Sequence, residues 1–226
     1  GVPLPRVSDA DTRKEDQRAR VQSAVAAAAD FFEAQLKGSA GAEARRYLEG
    51  RGLTPETIAY FHLGYAPAGR SVLKEHLAQL GFTAEEMTLS GMVVAGEDIP
   101  VSYDRFRHRV MFPITDLKGR VIAFGGRALD ADAPAKYLNS PETPLFHKGS
   151  VLFNAARARG PAHDRDEIIV VEGYMDVISL HQAGFENCVA PLGTALTDDQ
   201  LRLLWRMAPE PILCFDGDSA GRRAAY

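Results

Sequence analysis

Between Asp166 and Phe215, apolar runs too short for helices alternate with stretches of helical period. The runs are Glu167-Ile168-Ile169-Val170-Val171, Cys188-Val189-Ala190 and Pro211-Ile212-Leu213-Cys214-Phe215, and runs of this length read as buried strands. One helix is expected from about Met175 to Ala183, stopped by Gly184. Another is expected from Asp198 to Met207 behind the capping residue Thr197. Strand, helix, strand, helix, strand in this order demands a parallel sheet, because parallel neighbours need a crossover between them. Two of the strands run straight into acids: Glu172 follows Val171, and Asp216-Gly217-Asp218 follows Phe215. That places negative charge at the carboxyl edge of the sheet, where α/β folds bind ligands. Either feature alone is ordinary, since Asp-Gly is common turn chemistry; the pairing at equivalent strand ends is what carries weight. Acids gathered in one place repel each other unless a cation joins them. Hard oxygen ligands suit Mg2+, which takes one or two carboxylates plus substrate phosphates. Metal-dependent phosphoryl or nucleotidyl chemistry is the first expectation.

The preceding two-thirds of the chain has a different texture. Val21, Val25, Ala28, Phe32 and Leu36 recur at helical spacing within a helix expected over Asp11 to Lys37. Shorter helices follow: Ala42 to Glu49, ended by Gly50; one begun by Thr54-Pro55; one capped by Ser71; and one opened by the capping box Thr83-x-x-Glu86. After Gly91 strands appear. Val110-Met111-Phe112-Pro113-Ile114 and Val121-Ile122-Ala123-Phe124 flank the turn Asp116-Leu117-Lys118-Gly119, which is a hairpin signal. Residues 130–150 are rich in Pro, Asp, Asn and Gly and read as a long loop with short strands, a feature more often functional than not. The fold class is therefore α/β: an α+β unit over residues 1–164, then a parallel-sheet unit over 165–226.

Charge sharpens this division. The whole chain has a net charge of −4, but residues 101–165 carry 11 basic against 6 acidic side chains, and residues 166–226 carry 4 against 10. Basic groups hold polyanions while acids hold metal ions. Arg105-Phe106-Arg107-His108-Arg109 alternates along a stretch read as extended, which would put Arg105, Arg107 and Arg109 on one phosphate-binding face. In the loop, Lys136, Tyr137 and Asn139 offer a cation for phosphate, a ring for stacking and an amide for a base edge.

Other chemistries find little support. Gly217-x-Ser219-x-Gly221 fits a nucleophile-elbow pattern, but too little chain follows it to supply the later acid and histidine of that fold. No CxxC pair, HExxH, GxGxxG or Walker A sequence is present, so zinc, dinucleotide and P-loop sites lack support. Cys188 and Cys214 both lie in apolar runs and are expected to be buried and reduced. No apolar stretch approaches the ~20 residues that span a bilayer. With no cysteine framework and no signal peptide, a cytoplasmic location is expected. The first residue is Gly1, so the chain is expected to be a piece of something longer.

The motifs converge on a known pattern. Glu172-Gly173-Tyr174-Met175-Asp176 followed by Asp216-Gly217-Asp218-x-Ala220-Gly221 resembles the TOPRIM domain of primases, topoisomerases, nucleases and repair proteins. Upstream, several segments resemble DnaG-type bacterial primase: Tyr47-Leu48-x-x-Arg51-Gly52-Leu53, Arg109 to Ile114, Phe124-Gly125-Gly126-Arg127, Lys136 to Thr143, and Phe146-His147-Lys148-Gly149. The resemblance implies a DNA-dependent RNA polymerase that makes RNA primers from ribonucleoside triphosphates on single-stranded DNA. It implies that Glu172, Asp216 and Asp218 serve the catalytic Mg2+ (or Mn2+), with Asp176 near the metal. It also implies that Arg51, Arg127, Lys136, Tyr137, Asn139 and Lys148 form a ridge contacting nucleotide and template, and that an alarmone of the guanosine tetraphosphate type binds there as an inhibitor. In this family zinc belongs to an N-terminal module, and the replicative helicase is met through a C-terminal domain. Both lie outside this sequence, as does a further Asp-x-Asp pair. Two rivals stay open: another TOPRIM activity, topoisomerase or nuclease, and a non-catalytic single-strand-binding module.

Overall fold

The computed structural model describes residues 9–193, 195–217 and 221. Helix α1 (Asp9–Lys37) buries the stripe Val21, Val25, Ala28, Phe32 and Leu36, as its spacing predicts. After a 3-10 turn, α2 (Ala42–Gly50) runs through Gly50, where the stop was expected. It closes instead at Gly52, which takes the left-handed conformation (φ 80°) that ends helices. Helix α3 (Pro55–Tyr60) starts where Thr54 accepts the N–H of Thr57. Strand β1 (Gly64–Ala66) and helix α4 (Val72–Gln79) follow. Ser71 does not cap α4; its hydroxyl donates to Glu75. The cap is the carboxylate of Asp104, which accepts the N–H groups of Leu73 and Lys74 at 2.8 and 2.9 Å. A buried acid from a distant strand thus satisfies donors that local sequence would assign to a serine.

Helix α5 (Ala84–Leu89) carries the expected capping box between Thr83 and Glu86. Arg20 of α1 bonds the same carboxylate at 2.7 Å, and these bonds, Arg20's first, hold Glu86 down at about 2. A carboxylate depressed on folding stabilises the native state above its ordinary value and loses that contribution as pH falls through the depressed one. Glu86→Gln should therefore flatten the acid limb of a melting-temperature profile between about pH 4.5 and about pH 2. An unchanged limb would mean that the pair is not held in solution.

Strands β2 (Val93–Val94) and β3 (Tyr103–Asp104) form a small antiparallel pair. The predicted hairpin is β4 (Arg109–Thr115) and β5 (Val121–Ala128), and β6 (Tyr137–Asn139) returns along β5. The antiparallel sheet has the order β1-β4-β5-β6. Every residue of β4 is buried, because both faces of the sheet are covered. Val110, Phe112 and Ile114 join a core with Leu48, Phe61 and Tyr174, whereas Met111 packs with Phe32, Leu73 and Leu77 beneath α1 and α4. Alternate side chains of one strand thus feed two cores.

Helix α6 (Ala155–Arg165) has no counterpart in the sequence reading, and it contains Gly160-Pro161, residues of poor helix propensity. Its Ala155, Ala158 and Ala162 nonetheless pack on Val170 and Val189, and burial outweighs propensity. The predicted alternation follows as β7 (Ile169–Val170), α7 (Tyr174–Gln182), β8 (Cys188–Val189), α8 (Asp198–Trp205) and β9 (Ile212–Leu213). The three strands are parallel, in the order β8-β7-β9. Cys188 is buried, but Cys214 is exposed, and Ile212 and Leu213 are 45% and 40% exposed. The expectation that this last run is buried fails: β8 and β9 are both edge strands, but β8 packs against α6 and α7, whereas among the described residues β9 packs chiefly on β7. Among the described residues no helix is long and apolar enough to cross a membrane.

Candidate active site

The acid-bearing helix α7 shares a core with the antiparallel sheet, and Tyr174 makes the closest approach to it. Tyr174 is 6% exposed and stacks on Phe112 at 5.0 Å between ring centroids, with Phe153 edge-on at 4.8 Å. Its hydroxyl donates to Asn139 Oδ1 at 2.7 Å. The ring lies so close to β5 that a Cβ on Gly125 would sit 2.4 Å from it. A Cβ on the next residue, Gly126, would sit 2.9 Å from the Phe106 ring on the other face. The two glycines of Phe124-Gly125-Gly126-Arg127 are therefore close-approach positions, one for each face of the sheet.

Tyr174 sets where its neighbours lie. Glu172 and Asp176 face a cleft of about 310 Å³ lined also by Arg51, Tyr137, Asn139, Pro191 and Gly193. Glu172 Oε1 accepts the backbone N–H of Asp216 at 2.8 Å, so β7 and β9 bring the first two predicted acids together. Asp176 Oδ2 accepts the N–H of Gly173 at 3.0 Å. Burial above all, with Asp216 adding to it, pushes Asp176 above the usual carboxylate range, against the pull of Gly173 and Arg51. Gly221 also belongs here: a Cβ on it would meet the Asp216 carbonyl oxygen at 2.1 Å and Glu172 Oε1 at 2.7 Å. The glycine that closes the Asp-Gly-Asp motif is thus dictated by contact with both acids.

Opposite the acids stands a cationic and aromatic wall. The guanidinium of Arg127 lies 4.1 Å over the ring of Tyr47, a neighbour that sequence reasoning did not assign to the site. Tyr137 is 43% exposed, and its hydroxyl is raised, chiefly by burial, with Tyr47 and Asp176 adding and Arg127 and Arg51 opposing. Tyr137 is therefore the point where α2, β5, β6 and α7 meet. Lys136 is exposed beside it. Lys148 does not line this cleft; its backbone N–H is held by Glu142, and it sits on a 3-10 turn at Lys148–Ser150. Pro191 and Gly193, in the loop after β8, are further lining residues that the strand-edge rule could have located.

One sequence expectation is corrected. Arg105, Arg107 and Arg109 do not share a face, because the chain is not extended through them: His108 takes a left-handed conformation (φ 49°). Arg105 donates to the Gly91 carbonyl, and buried Arg109 donates to the carbonyls of Gly126, Ala135 and Lys136. Only Arg107 stays exposed, stacked 4.9 Å over Tyr103. The Asn139 amide, expected to read a base edge, is partly committed within the protein. Its Nδ2 donates to the Leu192 carbonyl at 2.8 Å while its oxygen takes Tyr174. Asn139 is a clasp between the two sheets.

The donor set fits a hard divalent cation in chemistry. Each of Glu172 and Asp176 commits one carboxylate oxygen to a backbone N–H and keeps the other, and all the donors are oxygens. Asp218 lies outside the described residues, and among these no three His, Cys, Asp or Glu side chains are placed to enclose an ion.

Carboxylates at the carboxyl edge of a parallel sheet, facing an arginine- and tyrosine-lined cleft, define a Toprim-type protein, and residues 166–226 match the Toprim domain. Such domains typically bind a divalent metal. Residues 31–159 match the DNA primase catalytic core, N-terminal domain, and the chain belongs to that family. It is 51% identical over 203 residues to the DNA primase of Pseudomonas aeruginosa, covering 89% of this chain and 30% of that one. It superimposes with a TM-score of 0.84, at 44% identity, on a DnaG primase catalytic domain bound to single-stranded DNA, covering 93% of this chain and 65% of that one. It superimposes with a TM-score of 0.83, at 38% identity, on the RNA polymerase domain of Mycobacterium tuberculosis primase in complex with a double-stranded DNA oligomer bearing a 6-nucleotide overhang, covering 92% of this chain and 67% of that one. The chain spans about 30% of the length of the first curated relatives it matches.

Proposed function

We propose that this chain is catalytic-core material of a primase that polymerises ribonucleoside triphosphates into RNA primers on single-stranded DNA. The observation that carries the proposal is the cleft in which Glu172 and Asp176 face Arg51 and Tyr137. Glu172, Asp216 and Asp218 would hold Mg2+, or Mn2+ in its place, with Asp176 beside them. Held there, such an ion would supply Lewis-acid neutralisation of the charge on the α-phosphate and the departing pyrophosphate. Arg51, Arg127 and Lys136 take phosphate oxygens, and Tyr137 offers a ring for stacking. Half-buried Lys148 and exposed Arg107, both away from the cleft wall, serve the template strand. In this division residues 1–164 bind nucleotide and template, and residues 165–226 carry the acids. The same cations suit an alarmone as a competing polyphosphate, and the helicase contact belongs to other parts of the primase.

The test is template-dependent ribonucleotide incorporation by the full-length protein. Primers should form with Mg2+ or Mn2+ and vanish on chelation, returning when metal is restored. Cleavage of supercoiled plasmid without ribonucleotide incorporation would favour a topoisomerase or nuclease instead. Salt-sensitive strand binding with no incorporation would favour a binding module.

A further inference from the structure

His108 takes no part in the site above, yet it sits at the joint of the cationic wall. Its Nδ1 lies 2.9 Å from Asp130 Oδ1, and its Nε2 lies 3.2 Å from Glu43 Oε2. A carboxylate only accepts, so both contacts are hydrogen bonds only when both ring nitrogens carry protons, that is, in the imidazolium. Glu43 belongs to α2, which also carries Tyr47, the ring under Arg127, and is followed directly by Arg51. Asp130 opens the loop between β5 and β6 that leads to Lys136 and Tyr137. The backbone reinforces this joint: Leu129 N–H donates to the His108 carbonyl at 3.1 Å, and Ala128 N–H to that of Lys136 at 2.9 Å.

We propose that His108 is a positioning residue: its imidazolium ties α2 to the β5–β6 loop and so holds Arg51 and Tyr47 in register with Arg127, Lys136 and Tyr137. This rests on the primase reading for its functional consequence. The groups facing the ring are Glu43 from α2, Asp130 from the loop and, from β1, Tyr65, whose ring is edge-on at 6.1 Å. Arg107 and Arg109 flank it on its own segment and are turned to Tyr103 and to backbone carbonyls. Partial burial lowers the imidazole's affinity for its proton, but the bonds to Asp130 and Glu43 outweigh that and leave it raised above the ordinary histidine value. A raised histidine holds its tie at low pH and releases it as pH rises through the folded value.

The test compares wild type, His108→Gln and His108→Arg in the full-length protein from about pH 6 to about pH 9, across the range of a perturbed histidine. The KM for ATP in template-directed synthesis should rise roughly fivefold in wild type relative to the arginine variant, whose charge never leaves. The glutamine variant should show the raised KM at every pH, with kcat close to wild type. Hydrogen exchange of the 129–136 amides reads the tie without any activity: wild type should lose protection relative to the arginine variant as pH rises. Equal protection in these two proteins at high pH overturns the inference. If the exchange difference appears but no primers form, the primase reading fails while the tie stands.

Discussion

Asp216→Asn should lower primer synthesis by about a hundredfold or more while leaving template binding intact or tighter. Effects of that size are usual when a group that meets developing charge is removed. The asparagine keeps the backbone N–H that Glu172 accepts at 2.8 Å, so the geometry of the strand edge survives and only the charge is lost. The cations proposed for polyanion binding lie across the cleft, and removing a nearby negative charge cannot weaken their hold on phosphate. Primer synthesis and fluorescence anisotropy of a labelled single strand, measured on the same preparation, decide the matter. Binding that falls in step with synthesis would move Asp216 from the reaction to the fold. Synthesis that survives would remove it from the metal set.

Tyr174→Ala should cost about 3–5 kcal/mol, the range for deleting a large buried aromatic. The ring packs on Phe112 and Phe153 and closely against Gly125, which has no side chain to fill the vacancy. Tyr174→Phe keeps the ring and loses only the bond to Asn139, which should cost about 1 kcal/mol. Chemical denaturation of the three proteins gives both numbers. A phenylalanine variant as unstable as the alanine variant would place the energy in the hydrogen-bonded clasp rather than in the stacking. Because Glu172 and Asp176 flank this tyrosine in sequence, loosening it also loosens the acids, and activity should fall before global unfolding.

Much of this arrangement is legible in the sequence for one reason: periodicity and punctuation are local. The spacing of Val21, Val25, Ala28, Phe32 and Leu36 marks a buried helix face whatever packs on it. Thr83-x-x-Glu86 and Thr197-x-x-Gln200 cap their helices through bonds that span three residues. Strand-end acids need only the βαβ order to be placed at one edge. The reading failed wherever a distant group made the decision. Ser71 lost its capping role to Asp104, and helix α6, not read from the sequence, forms through Gly160-Pro161 with three alanines in the core of the parallel sheet. Arg105 and Arg109 looked like phosphate ligands because a sequence lists donors without showing which carbonyls already accept from them.

The order of amino acids by itself determined the parallel sheet and its acidic edge, with Glu172 and Asp216 at neighbouring strand ends. Only the tertiary structure decided which cations share the cleft with those acids, that Asn139 is a clasp, and that Tyr174 sets the distance between the two sheets. The physical reason is reach. Strand and helix periods repeat within a few residues, whereas a donor's partner is found only after the chain has folded back upon it.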